Sequence, residues 1–410
     1  MRVLLFTGKG GVGKTTAAAG TATLAAARGH KTLVLSTDAA HSLADAFGIA
    51  PAAEPTEVEP NLFVQQVDAQ RKFEQTWVEI RRYLLSVLDS VGVDPIEAEE
   101  LTVLPGAEEV LALLELRDQA RSGRWDLVVV DCAPTAETLR LLALPEALNW
   151  YMDRVFPIER RMVRALRPVL GRVTGVPMPA DGVFAAVERL HGELAGVREV
   201  LTDPGTSVRL VLTPEAVVVA EARRTLTSLS LYGYRTDAVI ANRIFPAGGA
   251  DPWRDGWVAA QTAMLAEVEA SFAPLPVLRS PYRSAEPVGV AELGAFAAEA
   301  YASAGEGTDP CAVLSQTETM TIRAITPVAG ACGPDDACYV LSLALPLADK
   351  RDMDLRRKGD ELVLTVAGHR RQLALPSALQ RCTIAGAQLQ NERLEITFTR
   401  SASPSNPLPS

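Results

Sequence analysis

The chain has 410 residues, 48% hydrophobic and 22% charged. Its length indicates two domains, or one large domain with an appendage, and its composition is globular, which excludes wholesale disorder. The formal net charge of −10 argues against a general nucleic-acid binder, because phosphate backbones select for basic faces.

Only six lysines stand against 34 arginines, and two of them, Lys9 and Lys14, fall five residues apart near the N-terminus. The cysteines are Cys132, Cys311, Cys332, Cys338 and Cys382. Their odd number and the lack of CxxC suggest neither a disulfide framework nor a zinc knuckle. No structural zinc is expected, and the thiols read as small buried hydrophobes; only the six-residue spacing of Cys332 and Cys338 raises the question of a metal. No apolar run approaches the ~18 residues that span a bilayer, and MRVLLFTGKGG is too short for a signal peptide. The expectation is a soluble protein of the reducing cytoplasm with no transmembrane segment.

In chain order, strands are expected at Arg2–Thr7, Thr32–Ser36, Leu62–Val67, Asp126–Asp131, Val208–Leu212, Thr236–Ala241 and Pro274–Val277, with helices between most of them. That alternation predicts a parallel α/β sheet covered on both faces, binding its ligand at the carboxyl ends of the strands. About residues 68–125 and 145–201 the alternation gives way to helices. One places Phe73, Trp77, Ile80, Leu84 and Val87 on a single face; another sets Met152, Val155, Ile158, Met162, Leu166 and Val169 opposite four arginines, with Pro157 near its start. Two readings stand: a helical subdomain packed on the sheet, or a helical groove for an apolar client. Residues 303–319 are polar and punctuated by Gly and Pro, as in a linker. From 320 to 400 short segments alternate with period two: Leu362, Leu364 and Val366; Leu373 and Leu375; Leu394, Ile396 and Phe398. They predict a small all-β sandwich. Residues 401–410 read as a disordered tail.

The strongest chemical signal is GKGGVGKT, Gly8 to Thr15, after an apolar strand and before an Ala-rich helix. This is the context that the phosphate-loop pattern requires. Gly8, Gly10, Gly11, Val12 and Gly13 let consecutive backbone N–H groups converge on phosphate oxygens, and the helix start, with Thr16 in its first turn, adds its dipole. Lys14 is the expected partner of the β- and γ-phosphates of ATP, and Thr15 a ligand of Mg²⁺. A magnesium carboxylate should follow an apolar strand, and LVVVD supplies Asp131, acting directly or through a water. Asp38 follows the strand Thr32–Ser36, on the nucleotide side, placed to orient or deprotonate the attacking water; as a turn or cap residue it would have no such role. His41 contacts a phosphate or caps the switch.

These residues carry a resemblance. KGGVGKTT, with Lys9 directly after the first glycine, resembles the deviant-Walker group of dimeric ATPases. Within that group DAAHSLADAFG, LPGAEEVLALLEL, DCAPTAETLRLLALP and ANR (241–243) resemble the two switches, the helical-subdomain signature and the adenine segment of the ArsA and tail-anchored-protein targeting branch. The second switch departs from the usual pattern, with Glu137 in place of a His, and the CxxC of the eukaryotic targeting factor is absent. The C-terminal module resembles the small-heat-shock, α-crystallin-like domain appended to some ArsA-type proteins.

The resemblance implies a homodimer whose subunits face each other across the nucleotides. Lys9 then reaches into the partner's site, Asn242 contacts the adenine, and the loop 276–289, Pro281 included, covers the base. It implies a Mg-dependent ATPase that captures and releases an apolar protein client. The alternatives are an ATPase driving an arsenite or other anion pump, and a nucleotide-regulated holdase acting through the β module.

Overall fold

The computed structural model describes residues 1–37, 42–67, 85, 107–132, 181–248, 251–315, 318–325 and 337–400. Several expectations lie outside the described residues: Asp38, His41, Glu137, Cys332, both amphipathic helices above and the tail.

The first sheet is built from β1 (Arg2–Thr7), β2 (Thr32–Ser36), β3 (Thr56–Glu59), β4 (Leu62–Gln66), β5 (Leu127–Asp131), β6 (Thr206–Leu212), β7 (Thr236–Ile244) and β8 (Val277–Pro281). Its spatial order is β3-β4-β2-β5-β1-β6-β7-β8. Every residue of β1, β2, β5 and β6 is buried, which is why these strands read as unbroken apolar runs. Seven strands are parallel. The expectation of a purely parallel sheet needs one correction: β3 pairs antiparallel with β4 at the edge. Its sequence, TEVE between two prolines, is largely exposed and gives no apolar signal. The last strand also lies later than expected. Pro274 and Pro276 have no N–H to donate, so the ladder with β7 starts at Val277, opposite Val239.

The described helices are α1 (Lys14–Ala27), α2 (Ser42–Phe47), α3 (Ala107–Arg121), α4 (Asp181–Thr202), α5 (Ala216–Tyr232), α6 (Pro252–Phe272) and α7 (Val290–Ala302). Helix α1 is rich in alanine because it is buried against both the sheet and α7. A Cβ on Gly20 would stand 2.8 Å from the Leu293 carbonyl oxygen and 3.1 Å from the Phe296 ring.

In the middle of β6, in register with Phe6 of β1, Arg209 is fully buried. It bonds to both oxygens of Asp237 at 3.1 Å, to the Tyr301 hydroxyl, and to the carbonyl oxygens of Pro310 and Ala312 at 2.9 and 3.0 Å. Arg2 donates to the same Asp237 at 2.8 Å. Residues 303–315, read from sequence as a linker, thus form a strap seated on the first domain, with Cys311 and Leu314 packed against its core.

The C-terminal part contains β9 (Met320–Ile325), β10 (Ala337–Ala344), β11 (Met353–Lys358), β12 (Glu361–Val366), β13 (His369–Ala374), the short helix α8 (Ser377–Gln380), β14 (Thr383–Gln390) and β15 (Arg393–Arg400). They form a sheet of order β14-β15-β10-β9 and a second of order β11-β12-β13. The alternating residues singled out above fill the core between them, joined by Leu341, Leu343, Leu345 and Cys382. Leu231 of α5 belongs to this same core. The Arg371 guanidinium donates to the Leu231 carbonyl, and the Thr227 hydroxyl donates to that of Pro346 at 2.7 Å.

Cys132, Cys311 and Cys382 are free thiols, whereas Cys338 is disulfide-bonded. The bridge corrects the sequence expectation of none. Cys338 is then no thiolate ligand for a metal. No helix among the described residues is long and apolar enough to cross a membrane.

Candidate functional site

The carboxyl ends of β1, β2, β5, β7 and β8 converge where strand order reverses about β1, the usual ligand position in an open α/β sheet. The loop 8–13 leaves β1 and turns into α1. Glycine is required at two of its positions. A Cβ on Gly8 would meet the Val211 carbonyl oxygen at 2.1 Å, and Gly13, at φ +92°, would bring one to 2.3 Å from Asn242 Nδ2. Gly13 caps α1 without a side-chain bond to its free N–H groups, and the first turn of α1 holds no acid. That end is therefore open to an anion.

Lys14 is 8% exposed. Its ammonium meets the Lys9 carbonyl oxygen at 3.3 Å, and among the described residues no carboxylate pairs with it. A buried cation without a counter-ion is costly, so the cradle is electrostatically prepared for phosphate. The Thr15 hydroxyl donates to Asp131 Oδ2 at 2.8 Å and lies 3.4 Å from Ser42 Oγ at the start of α2. These hydroxyl and carboxylate oxygens are the hard donors that Mg²⁺ takes, so the residues present fit the metal. Asp131, 1% exposed, also receives at its carbonyl the Thr37 N–H, 3.0 Å away. That bond fixes the chain immediately before Asp38.

Asn242 closes the other side. Its Nδ2 donates to the Val12 carbonyl at 2.8 Å, and its Oδ1 accepts from the Arg243 N–H at 2.9 Å. Beside it opens a cleft of about 380 Å³ lined by Gly13, Thr16, Asn242, Pro281, Tyr282 and Phe296, among others. Phe245 stacks on Tyr282 at this rim, ring centroids 5.2 Å apart. Lys9 stands away from the phosphate cradle: its Nζ is 3.6 Å from Glu221 Oε2 on α5 of its own chain, both side chains about one-third exposed.

The structure thus brings Gly8, Gly10, Gly11, Val12, Gly13, Lys14, Thr15, Thr16, Asp131, Asn242 and Pro281 to one end of the sheet. Ser42, Tyr282 and Glu221 escaped the sequence reading. Ser42 lies inside the first-switch motif and Tyr282 inside the loop 276–289 expected to cover the base, so their segments are legible although neither side chain is; nothing in the chain signals Glu221.

Residues 1–302 match the family model described as "Anion-transporting ATPase", ArsA_ATPase. The chain belongs to the ArsA ATPase family. Residues 336–398 match the model of the HSP20-like domain found in ArsA. A "Putative arsenical pump-driving ATPase" of Chlorobaculum tepidum is 36% identical over 402 residues, 97% of this chain and 96% of that protein. An uncharacterized protein of Streptomyces coelicolor is 39% identical over 399 residues, 97% of each. An "ATPase ASNA1 homolog" of Entamoeba histolytica is 29% identical over 303 residues, 70% of this chain and 90% of that protein. This ArsA-family chain is therefore related both to proteins named for arsenical pumps and to one named for ASNA1.

Proposed function

We propose that this chain is a homodimeric, magnesium-dependent ATPase that hydrolyses ATP to ADP and phosphate and couples the cycle to capture and release of an apolar protein segment. One observation carries the ATPase reading: buried Lys14, with no carboxylate partner among the described residues, lies beside the open N-terminus of α1, the Thr15–Asp131 oxygens and the Asn242–Pro281 cleft. When bound through Thr15 and Asp131, magnesium neutralises charge on the β- and γ-phosphate oxygens. Lys14 and the backbone N–H groups of the loop hold those phosphates, and the cleft takes the base. Asp38, directly after the anchored Thr37, orients the attacking water. Lys9, released from Glu221, supplies its charge to the partner's nucleotide. The client reading is supported by edge strand β9, whose Met320 and Ile322 are 45% and 40% exposed. An extended apolar segment can pair with such an edge.

A test separates binding from turnover. Lys14→Ala should abolish nucleotide binding in calorimetry, whereas Asp38→Asn should bind ATP and release no phosphate. A fully active Asp38→Asn protein overturns the assigned role. Binding of a labelled apolar peptide, compared in ATP and ADP, tests the client; equal affinity in both states rejects the coupling.

The relatives named for arsenical pumps favour a second reading, an ATPase driving extrusion of arsenite or another anion. Phosphate release stimulated by arsenite and lost on thiol blocking would select it.

A further inference from the structure

Away from the nucleotide site, one place among the described residues brings three metal-ligand types together. His30 lies between α1 and β2; Asp309 and Cys311 belong to the strap. Their ligand atoms, an imidazole nitrogen, a carboxylate oxygen and a thiol sulfur, all lie within 4.8 Å of one another, and all three residues are half-buried. His30 Nε2 is 3.7 Å from Asp309 Oδ2. Bonds of about 2.0–2.3 Å around a tetrahedral zinc leave neighbouring ligand atoms roughly 3.3–3.8 Å apart. Small rotations of the three side chains would reach that spacing.

The backbone carrying them is already held. Arg28 donates to the Thr308 carbonyl at 2.7 Å, and Arg209 holds the carbonyls of Pro310 and Ala312 on either side of Cys311. The Cys311 N–H donates to Asp309 Oδ1 at 2.9 Å, which leaves the other carboxylate oxygen turned toward His30. Orientation of a ligand by an outer hydrogen bond is a regular feature of metal sites. A plain His–Asp ion pair would explain two of the three groups, and Cys311 would then serve only as a residue packed against the core.

We propose that His30, Asp309 and Cys311 bind a zinc-class divalent cation that staples the strap to the first domain. One thiolate, one imidazole and one carboxylate suit a borderline ion: the sulfur disfavours magnesium and calcium, and a single soft donor disfavours cuprous ion. Water completes the tetrahedron from the exposed side. As the sulfur–metal bond forms, the thiol proton passes to solvent; nothing is oxidised or reduced. Thiolate and carboxylate together balance the ion's two charges. Because the strap leads into the β module, occupancy of the site sets how firmly the junction between the two parts is held.

The full-length protein, stripped with a chelator and titrated with Co²⁺, tests this. One equivalent should bind, with the visible absorption of tetrahedral cobalt and a sulfur-to-cobalt charge-transfer band, and Zn²⁺ should displace it. Cys311→Ser should remove the charge-transfer band and Cys382→Ser should keep it. His30→Ala and Asp309→Asn should weaken cobalt binding by about tenfold or more. Nucleotide binding by each variant verifies its fold. A stoichiometric titration without the charge-transfer band, or an undiminished band in Cys311→Ser, overturns the proposal.

Discussion

Two lysines five residues apart in one loop end in different places. Lys14 is buried beneath the loop, and Lys9 sits outside it against Glu221. Lys9→Ala should therefore leave nucleotide binding by a single subunit nearly intact and reduce turnover by about 10²–10³, the usual cost of one charged transition-state donor. Mixing Lys9→Ala with Asp38→Asn subunits creates heterodimers in which one site has its own Asp38 and an intact Lys9 from its neighbour. Phosphate release should partly return; exchange without rescue contradicts the trans role. Cys132, beside Asp131, makes a different prediction. Burial, with the charge of Asp131 added, pushes its thiol up to about 12. It should resist alkylation at about pH 8 in the folded protein, since the thiolate is the nucleophile, and mass spectrometry reads the outcome. Because the folded value is raised, the stability this thiol contributes is full below about pH 8.5 and is lost as the pH rises toward about 12.

Helix α1 links the chemistry to the core, since its first residue is Lys14 and its body packs on α7. Gly20 permits the close approach, with only 2.8 Å between a would-be Cβ and the Leu293 backbone. In an exposed helix Gly→Ala stabilises. Here it should destabilise, by about 1–3 kcal/mol as overpacking does, and tilt the phosphate loop. Chemical denaturation and ATP affinity measure both effects; a more stable Gly20→Ala protein would show that α1 and α7 do not pack this closely. The phosphate loop, β1, β2 and the alternating strands of the β module were legible in the chain because burial on one or both faces leaves a direct imprint on residue type. Strand β3 and the start of β8 were not: an exposed edge needs no apolar residue, and proline position rather than hydrophobicity decides where β8 begins to pair.

At the scale of the molecule, the first domain does not finish where its family match does, at residue 302. Arg209 takes two of its acceptors from Pro310 and Ala312. A chain ended after 302 leaves that buried guanidinium short of partners, at about 1–3 kcal/mol for each unsatisfied group. Ending after 315 should keep the stability of the first domain and its nucleotide binding, whereas ending after 302 should lower the thermal midpoint markedly. Equal midpoints would mean that the strap is dispensable. Leu231 works in the opposite direction, a residue of α5 completing the core of the β module. Leu231→Ala should loosen the module by about 2–5 kcal/mol without changing ATP affinity, as differential unfolding with and without nucleotide can show.

The amino-acid sequence alone determined the family, the phosphate loop and the α/β-then-β order. These rest on local patterns: glycines where backbone must approach a ligand, apolar period where strands are buried, a carboxylate at a strand end. Tertiary structure alone decided that Ser42 stands beside Thr15, that Glu221 holds Lys9, that the apparent linker is bound by Arg209, and that His30 meets Asp309 and Cys311. Each of these joins residues far apart in the chain whose types are ordinary one by one. Only the crossing of strands and helices puts them within bonding distance, and no local spacing encodes that.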